Sequence, residues 1–94
     1  MIVVGTSVLV DYGKRHPEAL ASLSALNGLL RQAAWTDRAS IEQECGALAR
    51  INEDGRLLLD LPEAGCRVMV GINLELGIVR ITSVTELNQV KDDD

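Results

Sequence analysis

Apolar residues at Ala19, Leu20, Leu23, Leu26, Leu30, Ala33 and Ala34 recur every three or four positions, which lays one stripe along a helix from Pro17 to about Ala34. Its start is marked by the chain's only histidine. The residue before a proline is pushed out of the α region, whereas Pro17 suits a first helical turn and Glu18 the positive end of the helix dipole. Asn27 and Gly28 weaken the middle of this helix and allow a bend there. Ahead of it, Ile2, Val3 and Val4 read as a short strand. A brief helix follows to about Lys14, with Thr6 or Ser7 as its cap. Ser40 and Gln43 have capping-box spacing, and Ile41, Cys45 and Leu48 give a third helix one buried edge.

After "NEDG" the period changes from helical to two. "RLLLDL", "CRVMVGIN" and "IVRITSV" are strand-forming runs separated by "PEAG" and "LELG", so an antiparallel meander is expected. In the second run Cys66, Val68, Val70 and Ile72 share one face, and Arg67, Met69 and Gly71 the other. The helices are expected to cover the first. The class is therefore α+β: an N-terminal strand and a helical hairpin packed on one face of a small twisted antiparallel sheet. Residues 1–84 form a single domain in this reading, and 85–94 an acidic flexible tail.

Composition narrows the possibilities. At 94 residues and 47% hydrophobic, the chain can bury one core. It contains no apolar run long enough for a bilayer and no secretory leader, which points to a cytoplasmic protein that does not enter membranes. The formal charge of −5 has the wrong sign for a protein that grips phosphates by counterion release. Three of those charges, Asp92, Asp93 and Asp94, sit together at the end, and the rest of the chain carries −2. Three adjacent acids on a flexible end lack the convergence of a metal site, and no cofactor is implied. Cys45 and Cys66 have no motif spacing and read as free, buried thiols.

Several of these stretches together resemble a known family. "YGKRHPEALASL" is similar to the N-terminal helical hairpin of the HigB-type toxins of the RelE/ParE superfamily. "AAWT" resembles the end of that family's second helix, and "DGRLLLDLPEAGCRVMVGINLELGIVRI" its strands. Trp35, Gly55, Arg56, Arg67, Ile72, Asn73 and Gly77 occur in the family's order, and the likeness runs from Ile2 to about Val84. It implies a RelE/ParE-like sheet bound to a helix-turn-helix antitoxin. It also implies cleavage of messenger RNA in the ribosome, through attack of a 2′-hydroxyl on the neighbouring phosphate. That chemistry needs a proton acceptor, a proton donor and cations around a phosphorane.

The chain departs from the pattern at the chemistry. Gly65 stands where a lysine is common, Cys66 for a tyrosine and Thr82 for an arginine. At the end, Thr85, Glu86 and Leu87 replace Gly-Thr-His, and Val90 and Lys91 replace Tyr-Asp, so an acid enters a site meant for a polyanion. Arg56, Arg67 and Arg80 remain as candidate RNA-binding residues, with Arg67 the best candidate for a catalytic role. Arg67 could instead pair with Glu63, Glu75 or Asp60 across the meander.

His16 reads as a helix-start residue rather than a general base. Tyr12 reads as packed, and Trp35 as a plug between hairpin and sheet rather than a platform for a base. Leu58, Met69, Gly71 and Ile78 would leave the open face apolar, as protein-binding surfaces are. Two functions follow. One is a degenerate toxin-fold protein with weak or no endonuclease activity, which binds an antitoxin or a second copy of itself. The other is an active ribosome-dependent mRNA interferase that uses Arg56 and Arg67 for phosphate. Gyrase poisoning, known for the ParE branch, is neither supported nor excluded by these residues.

Overall fold

A computed structural model of the chain describes residues 1–46, 49–51 and 56–87. The fold is α+β. A three-residue strand β1 (Ile2–Val4) leads into α1 (Thr6–Arg15), a 3-10 turn (Pro17–Ala19), α2 (Leu20–Gln32) and α3 (Arg38–Cys45). Four strands follow: β2 (Ala49–Ile51), β3 (Arg56–Leu61), β4 (Cys66–Asn73) and β5 (Ile78–Glu86). They form one sheet in the order β1-β5-β4-β3-β2.

The sheet differs from the expected one in two ways. The meander is antiparallel throughout, but β1 pairs with β5 in parallel, so the sheet is mixed. The connection from β1 runs through all the helices and three strands before returning, and that length allows a parallel pairing that no hairpin could make. The second difference is β2, which no periodicity announced because three residues cannot display one. It exists by pairing Ala49, Arg50 and Ile51 with Leu59, Leu58 and Leu57.

His16 lies where the chain turns. Its N–H donates to the Tyr12 carbonyl at 2.9 Å, closing α1, and its own carbonyl accepts from Ala19 at 2.9 Å, opening the 3-10 turn. The helix expected from Pro17 thus starts as a 3-10 turn and becomes α-helical at Leu20. That changes its phase. Leu23, Leu26 and Leu30 are buried as the stripe requires, but Leu20 stays half exposed, lying over Gly13 of α1, where any side chain would collide with it. Asn27 and Gly28 do not interrupt α2.

α1 is capped by Gly5 rather than by Thr6 or Ser7, and no side chain caps it. α3 carries a capping box three residues earlier than expected, with Asp37 rather than Ser40 as its cap. Asp37 accepts from the Ser40 N–H at 2.9 Å, and Ser40 Oγ accepts from the Asp37 N–H at 3.2 Å. The Ser40 N–H and, at 3.0 Å, the Ser40 hydroxyl both donate to the Asp37 carboxylate and hold the carboxyl below its ordinary range. Of the edge expected for α3, Ile41 is buried and Cys45 partly so, while Leu48 lies outside the described residues.

The core lies between the helices and one face of the sheet. Leu57 and Leu59 from β3, Cys66, Val68 and Val70 from β4, and Val79 and Ile81 from β5 meet Leu9, Tyr12, Leu23, Leu26, Leu30 and Trp35. Each strand supplies alternate residues, as a half-covered sheet dictates. The other face is open and carries the candidate arginines. Strand β5 continues through Thr85 and Glu86, past the domain boundary expected at 84. The acidic run 92–94 lies outside the described residues.

Candidate functional site

The three arginines singled out from the sequence all emerge on the open face, but they do not form one cluster. Arg56 on β3 and Arg80 on β5 both stand opposite Gly71 of β4. With strands about 4.8 Å apart, their backbones are roughly 10 Å from each other across a position that has no side chain. The Arg56 guanidinium lies against the Met69 thioether, Nη1 to Sδ 3.7 Å, and Arg80 is exposed. A shallow recess of about 340 Å³ beside Gly71 and Arg80 is lined by Ile72, Asn73, Leu76 and Ile78. Its walls are largely apolar, and Arg80 is its one charged member.

Arg67 is four residues from Gly71, toward the other end of β4, and it is already paired. Asp60 lies directly opposite it on β3. Its carboxylate accepts from Arg67 Nε at 2.6 Å and from Nη2 at 3.2 Å, a two-pronged pairing that also draws in Arg50 Nη2 at 3.4 Å. Both members are largely shielded, with 17% and 26% of their side chains exposed. Such a fork satisfies the planar guanidinium at the edge a phosphate would use. The Arg67 hydrogen bond holds the Asp60 carboxyl below its ordinary range, and the Asp60 carboxylate raises the Arg67 guanidinium. Of the three pairings open to Arg67 in the sequence, Asp60 is the one made. Arg50 was not anticipated, because its strand was not.

This pair carries a pH dependence whose sign follows from the direction of the Asp60 shift. A carboxyl with a lowered folded-state pKa contributes stability that is complete above its unfolded value, near 3.8, and is lost as pH falls through the folded one. Arg67→Ala is therefore expected to cost about 1 kcal/mol at pH 7, a charge-assisted bond discounted for partial exposure. The gap to the unmodified protein should close as the pH falls below about 4. Urea unfolding of both proteins at several pH values measures this, and a gap independent of pH would mean that lost packing, not the ion pair, sets the cost.

Among the described residues, the phenol and the imidazole lie on the helix side of the sheet, away from the arginines. Tyr12 and His16, the only phenol and the only imidazole in the chain, stack at 4.3 Å in the helix layer. Burial, and after it the nearby Cys66, Glu86 and Glu18, pushes the Tyr12 phenol above its ordinary range. The resemblance aligned Glu86 with a residue of the family's site, and the sequence left its face open. It turns to the helix side, opposite Cys66, and its carboxylate lies 3.4 Å from His16 Nε2, while Glu18 lies 3.5 Å from Nδ1.

A β-bulge causes this placement. Met69 pairs with Ser83 and the next residue, Val70, with Ile81, so Thr82 is the extra residue, its hydroxyl bonded to the Met69 carbonyl at 2.9 Å. One inserted residue inverts the alternation for the rest of the strand. Arg80 and Glu86, which strict alternation would put on one face, end on opposite faces. Thr85 is what faces Arg67.

Trp35 is buried at 4% exposure, and its indole N–H donates to Glu44 at 2.7 Å, so its ring is not offered to a base. Cys45 and Cys66 are free thiols, both pushed above their ordinary range by burial. Among the described residues no three metal-ligating side chains converge. No family model matches the chain, and no curated protein does.

Proposed function

We propose that this chain is a diverged HigB-type member of the RelE/ParE toxins that keeps the scaffold and works by binding protein rather than by cutting RNA. Its ancestry is supported by the ordered motif residues from the His-Pro junction to the Gly-Ile-Val run, and by the α+β layering they occupy here. The loss of chemistry is supported by one observation above all: Arg67 is forked onto Asp60 while the only imidazole and phenol lie behind the sheet. Scission of a phosphodiester needs a donor, an acceptor and cations on one side of the substrate. The natural partner in this reading is a helix-turn-helix antitoxin or a second copy of the chain, in the cytoplasm.

One observation favours the alternative, an mRNA interferase active on the ribosome. Arg56 and Arg80 flank the bare backbone of Gly71, a spacing that could seat a phosphate with Arg67 recruited from Asp60. Induction in a bacterium separates the two. A binding protein leaves growth and transcript length unchanged at high expression, and co-purifies with a small helix-turn-helix protein where one is encoded beside it. An interferase arrests growth and shortens transcripts.

A further inference from the structure

We infer that the recess beside Gly71 and Arg80 is a binding site for a small amphipathic anion, a single carboxylate or phosphate head on a short apolar body. The inference goes beyond the binding of a protein partner and holds whether or not the sheet face cuts RNA.

The recess exists because β4 carries a glycine where a strand ordinarily carries a side chain. Glycine inside a strand gives up packing and chain entropy, and it commonly marks a bend, a bulge or a place that something else approaches closely. The bulge here takes its extra residue, Thr82, from β5 and makes no demand on Gly71. No described part of the chain fills the space either, because a Cβ on Gly71 would meet nothing within 4 Å. What remains is the opening of about 340 Å³ on the open face, at the lower end of the range of small-ligand sites.

The lining sets the class of ligand. Arg80 is its one charged member, exposed and without an ion pair among the described residues, whereas Arg67 and Arg50 on the same face share Asp60. A guanidinium offers paired donors to a carboxylate or phosphate, and flanking apolar groups strengthen the attraction by excluding water. Those groups are close at hand. Ile78 is two residues from Arg80 on the same strand face, roughly 7 Å away, and Leu76 and Ile2, which pairs with Ile78, extend the wall. Leu76 and Ile2 are 66% and 63% exposed, surface that a bound apolar body would cover. The Leu76 N–H donates to Asn73 Oδ1 at 3.0 Å, which fixes this wall and leaves the Asn73 amide nitrogen as a donor at the rim. Bare phosphate would leave the apolar wall uncovered, and an uncharged apolar molecule would leave Arg80 unpaired. A molecule that carries both parts satisfies both.

Titration of the whole isotope-labelled chain with hexanoate and with hexyl phosphate, followed through its amide resonances, tests this. A dissociation constant on the order of 1 mM is expected for at least one of them, and the tighter of the two identifies the head group. The shifts should gather at Gly71, Asn73, Leu76, Ile78 and Arg80. Hexanol and inorganic phosphate, each holding half of the chemistry, should bind about fivefold more weakly or worse, and Arg80→Gln should weaken the amphipathic anion by a similar factor. Gly71→Leu, whose new side chain has room to occupy the recess, should abolish binding with Arg80 still in place. Far-UV circular dichroism matching that of the unmodified protein would show that both variants are folded. Inorganic phosphate binding as tightly as hexyl phosphate, shifts centred elsewhere on the chain, or full affinity in Gly71→Leu overturns the inference. So does the absence of binding up to about 20 mM of either anion.

Discussion

Trp35→Ala is expected to lower the stability of the fold by about 3–5 kcal/mol, the usual cost of deleting a large buried ring. For a domain of this size that corresponds to roughly 15–30 °C in the thermal midpoint, enough to leave little folded protein at 37 °C. The ring sits in the core cluster with the buried leucines of α2 and β3, and its single polar atom is bonded to Glu44. Truncation loses apolar burial and opens a cavity at once, while the exposed Glu44 carboxylate is left to water. Trp35→Phe keeps most of the volume and should cost about 1–2 kcal/mol. Thermal unfolding followed by circular dichroism distinguishes the two variants. A Trp35→Ala protein of unchanged stability would contradict the assignment of this ring to the core and reopen a role at the surface.

Gly5→Ala should cost about 2–4 kcal/mol, although the side chain it adds is a single methyl. Gly5 joins β1 to α1 at φ +88, in the left-handed region, and its α-carbon is pressed against β5. A Cβ there would lie 2.5 Å from the Ile81 carbonyl oxygen, a backbone atom of a central strand that cannot move aside cheaply. Gly65 provides the control. It has a similar φ of +67 but open space around it, so Gly65→Ala should incur the backbone strain alone, about 1 kcal/mol. Equal losses at the two positions would mean that the contact with Ile81 contributes nothing. Gly5 follows directly on β1, so a side chain there would press on β5 beside the parallel β1–β5 pairing.

What was legible in the sequence is what depends on near neighbours. The stripe through Leu23, Leu26 and Leu30 fixes α2, and the alternation in "CRVMVGIN" assigns Val68 to the core and Arg67 to the open face. The Arg67–Asp60 pair was visible as one of three options, because cross-strand partners follow from hairpin register once both strands are known. Long-range features were not legible. β2 owes its existence to β3, and with it Arg50 joins Asp60. The parallel partner of β1 lies at the far end of the chain.

The bulge at Thr82 had the largest effect on the site. Nothing in "IVRITSVTE" marks one residue as extra, yet the insertion sends Glu86 from the arginine face to His16. Glu86 is therefore not an acid of the arginine face, and among the described residues Tyr12 and His16 are not on that face either. Tyr12 and His16, four residues apart, had the spacing of a stacked pair. Their acidic partner Glu86 lay beyond any local pattern.

The most direct test of a sheet face without scission chemistry is cleavage of a translated message by the purified protein, with Arg67→Ala assayed in parallel. Full-length message with both proteins, at concentrations well above that of the ribosomes, is the result predicted by the pairing of Arg67 with Asp60 and the placement of Tyr12 and His16 behind the sheet. Fragments that appear with the unmodified chain and vanish with Arg67→Ala would contradict it.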